Sequence, residues 1–393
     1  MHNLFIFEDS KPRSYGGGQS VTITILESLS KKDFKIHLFD SSKTSKFQKM
    51  LNHKKFNFVK KGYYKLLKNQ KKNPGNNKSS FTVPFHKALI EFIYVYIPEI
   101  FKLKDYNYYP EKIIAPNKKT FILAILYSVM IKKPKSIVFY HHSFYPKSFF
   151  SNLFVRSLYY FSKVNKKIEI VNIFVSNFTA HSFLEKIPTK NNFSNYVLYN
   201  STPNEKKLIK LRDDFKRIKV KNEITISIFS SLLPWKGVLE SIKIYANLNL
   251  DVRKKYKLNI YGGGNLEEEI IKLCGNTFGC KFRGFKTCLE MAKETDVLIL
   301  PSLAEESCPI SAIESICAGL PTFSLAFGGQ HEILKPLNLF IKNTKNISNL
   351  FKEIINKNKN DLIKISNLAI NLYDQNFTSE RYSDRIRNII LGK

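Results

Sequence analysis

Cysteine is scarce: Cys274, Cys280, Cys288, Cys308 and Cys317 are the five in a chain of 393 residues, and all lie in its second half. No two are spaced as CxxC, so neither a zinc site nor a disulfide framework is suggested, and a reducing cytoplasm fits best. Long apolar runs are missing as well. The longest, "FILAILYSVMI" from Phe121 to Ile131, has 11 residues. A bilayer span needs about 20, so this run reads as a buried helix. "MHNLFIFEDS" lacks the basic start and long apolar stretch of a signal peptide. Acidic residues are few, 32 against 63 Lys and Arg, for a net charge of +31. That imbalance favours anionic partners: nucleotides, nucleic acid or an acidic membrane face. The basic residues are spread along the chain without a recognition motif, which argues against nucleic acid. Neither glycine-rich loop completes GxGxxG with an acid about 20 residues on, which argues against a dinucleotide-dependent dehydrogenase.

What is present is an alternation of strands and helices. In the first half "NLFIF" reads as a buried strand, "KPRSYGGGQS" as a glycine-rich loop, "VTITILESLSKK" as a helix and "FKIHLFD" as a second strand, which together make a βαβ unit. "SIVFYHHSF", "IVNIFVSNFTAHSFLEK" and "NYVLYNSTPNE" continue the pattern. The charge-dense "EKKLIKLRDDFKRIKVKNE", Glu205–Glu223, reads as a linker. The alternation then restarts with "ITISIFSSL", "YKLNIYGGGNLEEEIIKLC", "KFRGF", "LEMAKETD", "DVLILPS" and "PISAIESICAG", and "TFSLAFGGQHEIL" closes as a strand and a loop. Such alternation predicts parallel sheets covered on both faces, hence an α/β fold of two Rossmann-like domains facing each other across a cleft. The expected boundaries are a first Rossmann-like domain over 1–204, a linker over 205–222, a second Rossmann-like domain over 223–375, and a C-terminal helix over 376–393 that packs back toward the first domain.

The chemistry concentrates at strand ends. In "PSLAEESCPISAIESICAGLP", Pro309 suits the first turn of a helix and Gly319 its stop. This helix begins at the carboxyl end of strand "DVLIL", where open α/β sheets bind ligands, and its free N–H groups suit a phosphate. Glu306 precedes it and Glu314 lies inside it, eight positions on. A carboxylate only accepts hydrogen bonds, so its natural ligand is a pair of hydroxyls. Lys236 in "SSLLPWKGV" follows another strand and can neutralise a diphosphate. Gly262 and Gly264 in "GGGN", and Gly16, Gly17 and Gly18 in "GGG", let backbone approach a ligand closely. His141 and His142 end a first-half strand, and one of them could reach a sugar hydroxyl.

In their order along the chain, "GGGQ", "VSNFTAHSF", "VLYNSTP", "SSLLPWKGV", "IYGGGN", "FRGF", "DVLILPS" and "EESCPISAIE" resemble a glycosyltransferase of the GT-B fold, in the family 4 retaining group. Glu306 and Glu314 fit that group's E-x7-E motif. The resemblance implies that Glu314 binds the donor ribose and that Glu306 contacts the transferred sugar. It implies that the backbone of Cys308, Pro309, Ile310 and Ser311 holds sugar and diphosphate, and that Lys236 neutralises the leaving diphosphate. Gly17 and Gly18 would let the first domain close on its ligands, and His142, less so His141, would touch the sugar. No cofactor or metal is implied; the co-substrate is a nucleotide-diphosphate sugar. Two departures stand out. Ser231 occupies the position of an arginine, and Ser307 that of a glycine after the first glutamate.

Lys43–Lys78 holds twelve lysines and no acid, interleaved with Phe and Tyr. Lysines near an anionic membrane are worth about 1 kcal/mol each and aromatics suit the interface. The segment thus predicts a cytoplasmic protein placed peripherally at the inner face of the plasma membrane, acting on a glycan or lipid-linked acceptor. The alternatives are a nucleotide-sugar epimerase on the same fold, which would turn over donor without an acceptor, and a basic nucleic-acid-binding protein.

Overall fold

The structure is a computed structural model. It describes residues 2–9, 17–29, 34–40, 60–63, 97–103, 108–144, 155–157, 159–160, 168–187, 193–212, 222–325, 328–340 and 346–393. The chain forms two compact units. The first comprises Met1–Val175, Thr179–Leu198 and Ser383–Lys393, the second Ser176–Phe178 and Tyr199–Tyr382.

The first unit is built on seven parallel strands: β1 (His2–Glu8), β2 (Phe34–Asp40), β3 (Lys60–Tyr63), β4 (Lys112–Ala115), β5 (Ser136–His141), β6 (Glu169–Phe174) and β7 (Phe193–Val197). They lie in the order β3-β2-β1-β4-β5-β6-β7. Helices α1 (Gly17–Leu29), α2 (Ile97–Lys102), α3 (Lys118–Met130) and α4 (Asn177–Leu184) belong to the same stretch of chain. β5 is buried along its whole length, as expected of a parallel strand covered on both faces. The 11-residue apolar run is α3, a buried helix. Asn117 and Thr120 form a capping box at its start, which satisfies two otherwise orphaned N–H groups. The core is aromatic: Phe5, Phe7, Phe39, Phe121, Phe139 and Phe174 pack together, with Phe121 and Phe139 stacked at 4.1 Å between centroids. Ser383 near the C-terminus hydrogen-bonds Ser28 of α1 at 2.9 Å.

The second unit holds five parallel strands: β8 (Ile224–Phe229), β9 (Tyr256–Tyr261), β10 (Cys280–Phe282), β11 (Val297–Leu300) and β12 (Thr322–Ser324), in the order β10-β9-β8-β11-β12. Its helices are α5 (Glu205–Ile209), α6 (Val238–Ala246), α7 (Leu250–Lys255), α8 (Glu267–Gly275), α9 (Cys288–Lys293), α10 (Ile310–Cys317), α11 (Gly328–Leu334), α12 (Ile347–Ile355) and α13 (Lys359–Asn376). The last helix, α14 (Ser379–Leu391), begins in this unit's residues. The core is aliphatic, with Ile224, Ile226, Ile228, Leu258, Ile260, Val297 and Ile299 at its centre. Strand order reverses between β8 and β11, so the crevice at their carboxyl ends is the topological switch point where this architecture binds ligands.

One local reading needs correction: the loop expected after "TFSLAF" is helix α11. The basic segment contributes a strand, β3, paired in parallel with β2; the rest of Lys43–Lys78 lies outside the described residues. The charge-dense stretch from Glu205 begins as helix α5. No helix among the described residues is long and apolar enough to cross a membrane.

Candidate active site

The switch point of the second unit brings two distant segments together. After β8 the chain makes a single 3-10 turn, Pro234–Lys236, and stops at Gly237 with φ +69°. A Cβ on Gly237 would stand 2.2 Å from the Pro301 carbonyl oxygen, so only glycine lets the β8 loop pass this close to the end of β11. The Leu303 N–H donates to the Trp235 carbonyl at 2.9 Å. With the loops fixed, Lys236 Nζ lies 2.6 Å from Glu306 Oε2 and 4.3 Å from the centre of the Trp235 ring. The Ser302 hydroxyl donates to Glu306 Oε1. The two charged side chains are only 14% and 12% exposed, so they attract one another under weak solvent screening.

The neighbouring β9 loop is laced to the β8 loop. Leu232 N–H donates to the Gly263 carbonyl at 3.0 Å, and Leu266 N–H to the Leu232 carbonyl at 3.2 Å. Gly262 has φ +143°, and a Cβ there would meet the Ser230 carbonyl oxygen at 1.8 Å; Gly264 has φ +159°, and its Cβ would meet that of Leu232 at 2.5 Å. These glycines serve loop-to-loop packing. Ser231, at the arginine position, is exposed on the same edge and brings no charge.

Helix α10 follows Glu306 by four residues. Pro309 precedes it in extended conformation, φ −67° and ψ 124°, and the first-turn N–H groups of Ile310 and Ser311 have no acceptor within the helix. The Asn200 side-chain amide donates to the Cys308 carbonyl at 3.0 Å, which fixes the backbone just before the helix. Burial pushes the Cys308 thiol up to about 12, which leaves it neutral. Glu314, on the second turn of α10, is 7% exposed. Its Oε1 accepts from Thr202 Oγ1 and from Asn204 Nδ2, each at 3.1 Å. Burial raises the Glu314 pKa, opposed by the Asn204, Thr202 and Cys288 side chains.

Sequence reading missed several contributors. Ser302, Asn200, Thr202 and Asn204 are ordinary polar residues whose roles depend on contacts with Glu306, Cys308 and Glu314. Gly328 and Gly329 open α11 against the first glutamate: Gly329 N–H donates to the Glu306 carbonyl at 2.7 Å, and a Cβ on Gly329 would stand 1.7 Å from the Ser307 carbonyl oxygen. The signal for these two was the "GG" itself.

In the first unit the adjacent histidines separate. His141 is a core residue, 2% exposed. Its Nε2 lies 3.0 Å from Asn172 Oδ1 and its ring stacks on Phe174 at 4.4 Å. Burial pushes its pKa down to about 3. His142 follows the end of β5 and stacks on Tyr140 at 4.8 Å. Burial pushes it down to about 4, and its Nε2 has no hydrogen-bond partner. At the carboxyl ends of β1 and β2, Glu8 and Asp40 stand in register, and Thr22 donates to Glu8 at 2.5 Å. Burial, then the charges of Asp40 and Asp9, push Glu8 up to about 8. Gly17 and Gly18 start α1; Gly16 lies outside the described residues.

The doubly wound second unit carries a lysine and two glutamates at its switch point. Residues 210–369 match the family Glycosyl transferases group 1. The whole chain has the GT-B fold. It is similar to Anabaena Alr3699/HepE, solved in complex with UDP-glucose, at 17% identity and a TM-score of 0.72 over 99% of this chain and 100% of that one. It is also similar to WaaG, a glycosyltransferase involved in lipopolysaccharide biosynthesis, at 15% identity and a TM-score of 0.65 over 100% of both chains. A 121-residue stretch is 30% identical to the uncharacterized glycosyltransferase MJ1069 of Methanocaldococcus jannaschii, and covers 30% of this chain and 31% of that protein.

Proposed function

We propose that this protein is a retaining glycosyltransferase of family 4. It moves a sugar from a nucleotide-diphosphate sugar to a glycan or lipid-linked acceptor, without a bound metal, in the assembly of a bacterial surface polysaccharide such as lipopolysaccharide, O-antigen or capsule. The acceptor is met at the inner face of the plasma membrane. Uridine is the proposed base, since UDP and UDP-glucose are the ligands of the HepE structures that this fold resembles. The observation that carries the reading is the meeting of Lys236 Nζ and Glu306 at the switch point, 2.6 Å apart.

The roles follow from charge and hydrogen-bonding capacity. As the anomeric carbon loses the diphosphate, negative charge builds on the departing phosphate. Lys236 stabilises that charge, and a preorganised group of this kind is worth about 3 kcal/mol. The N–H groups of Ile310 and Ser311, with the backbone at Cys308 and Pro309, face the sugar and diphosphate. Glu306 accepts from hydroxyls of the transferred sugar and favours its developing positive charge. Glu314 accepts from the ribose, and Gly262 and Gly264, by letting the β8 and β9 loops pack together, place the β9 loop beside the nucleotide. His142 contacts the sugar, and Gly16, Gly17 and Gly18 belong to the acceptor side.

The test is a thermal-shift screen of the nucleoside diphosphates and their sugars on wild type beside Glu314→Ala, followed by NMR of the product's anomeric configuration. Stabilisation of wild type alone by a uridine nucleotide is expected, with the donor's anomeric configuration kept. No stabilisation by any nucleotide would overturn the reading; an inverted product would overturn its retaining part. Lys236→Ala should lower kcat about a hundredfold, the equivalent of about 3 kcal/mol, while the donor KM stays within a few-fold. Unchanged turnover would remove Lys236 from the chemistry.

A further inference from the structure

We propose that Thr202 and Asn204 are positioning residues for ribose recognition: they hold one oxygen of Glu314 so that the other is presented to the ribose hydroxyls of the donor. The proposal rests on the glycosyl-transfer reading above and adds to it two residues from a segment 110 positions away from Glu314 along the chain.

The geometry sets these residues apart from ordinary loop polar groups. Asn204 immediately precedes α5, the position where an asparagine side chain normally caps the helix's free N–H groups. Here it makes no such cap. Its amide reaches instead to Glu314 Oε1 at 3.1 Å. Thr202 Oγ1 accepts the Asn204 N–H at 3.1 Å and donates to the same Glu314 oxygen at 3.1 Å. The incoming N–H occupies one lone pair of the hydroxyl, which directs its proton at Glu314. Pro203 stands between them and restricts the backbone of Thr202 to extended conformations. A local preference broken at a helix start, with the side chain redirected to a buried carboxylate, marks a position shaped by its function.

Two donors on Oε1 have two effects. They fix the carboxylate plane, and they favour the ionised form against a burial that raises its pKa. An ionised carboxylate can accept from a diol; a protonated one surrenders part of that capacity. The Cys288 side chain of α9, 3% exposed, also favours the ionised form.

The experiment measures UDP, 2′-deoxy-UDP and 3′-deoxy-UDP binding by titration calorimetry, at pH 6 and pH 8, on wild type, Thr202→Ser, Thr202→Val and Asn204→Ala. The expected result is a wild-type preference for UDP over at least one deoxy form. Thr202→Ser keeps it, because the hydroxyl remains. Thr202→Val, which has the shape without the donor, and Asn204→Ala lose most of it, bind UDP about tenfold more weakly, and lose further affinity at pH 6. The preference is a ratio taken on folded, binding-competent protein, so a drop in stability alone does not move it. Should Thr202→Val and Asn204→Ala keep the wild-type preference and pH dependence, the positioning role is overturned while the glycosyl-transfer reading stands. Should wild type bind UDP with no preference for the full ribose, the proposal falls in the same way. If wild type binds none of the nucleoside diphosphates, both fall together.

Discussion

Gly237 and Glu8 show how single residues set limits on the fold around them. At Gly237 a side chain faces a left-handed backbone and a carbonyl oxygen 2.2 Å from its Cβ. Gly237→Ala should therefore destabilise the second unit by about 3 kcal/mol or more, read as a fall in the urea midpoint. A glycine without contacts, Gly275, should tolerate alanine with little change. Glu8 has its carboxyl pushed up to about 8 by burial first and by Asp40 and Asp9 next, with the Thr22 hydroxyl bond opposing. A carboxyl whose folded pKa is raised contributes stability that is fully present below its unfolded value near 4.5 and is lost as pH rises through the folded value. Between pH 5 and pH 9 the wild-type urea midpoint should fall relative to that of Glu8→Gln; parallel profiles would remove Glu8 as the cause. At this scale the sequence disclosed Lys236, Glu306 and Glu314, because each lies just beyond a strand or inside the helix that follows one. It did not disclose Thr202 or Ser302, whose importance is a matter of which oxygen they face.

Elements were legible where their pattern is strong. β8, β9 and β11 are apolar runs bounded by glycine, serine or proline, and buried parallel strands take that form. β3, "KKGY", has no apolar alternation; it pairs with β2 alone at the edge of its sheet, where neighbours rather than propensity decide. α11 opens on two glycines, which are poor helix formers, yet these are what allow its start to press against Ser307. Helix starts were clearer. Asn358 and Asp361 form a capping box at α13, the long helix that packs on α10. Asn358→Ala should lower stability by about 1 kcal/mol, while Asn358→Ser, which keeps the cap, should remain within a few tenths in equilibrium denaturation.

For the molecule as a whole, the division into an aromatic core and an aliphatic one makes a single unfolding equilibrium an incomplete description. Calorimetry should resolve more than one transition. UDP at a hundred times its Kd should add about 2.7 kcal/mol to the transition of the second unit. A ligand that moved only the other transition would place the nucleotide in the wrong half of the chain. The two-unit α/β plan was readable from the alternation of strands and helices. The corner that joins residues 200–204 to α10 was not, because no local pattern records a contact between segments so far apart.

The Lys236–Glu306 pair gives the resting site its own counter-anion. On the proposed glycosyl transfer, an arriving diphosphate would have to displace a carboxylate that already occupies the ammonium, and the displaced Glu306 would become available to the sugar that arrives with the phosphates. Ligand entry would then be an exchange of anions, with Glu306 and the leaving group competing for the same ammonium. Glu306→Gln should consequently bind UDP more tightly than wild type, by about tenfold or some 1.4 kcal/mol, while its turnover collapses. Opposite signs for affinity and rate in one substitution, measured by calorimetry and by product formation, are the signature of that competition.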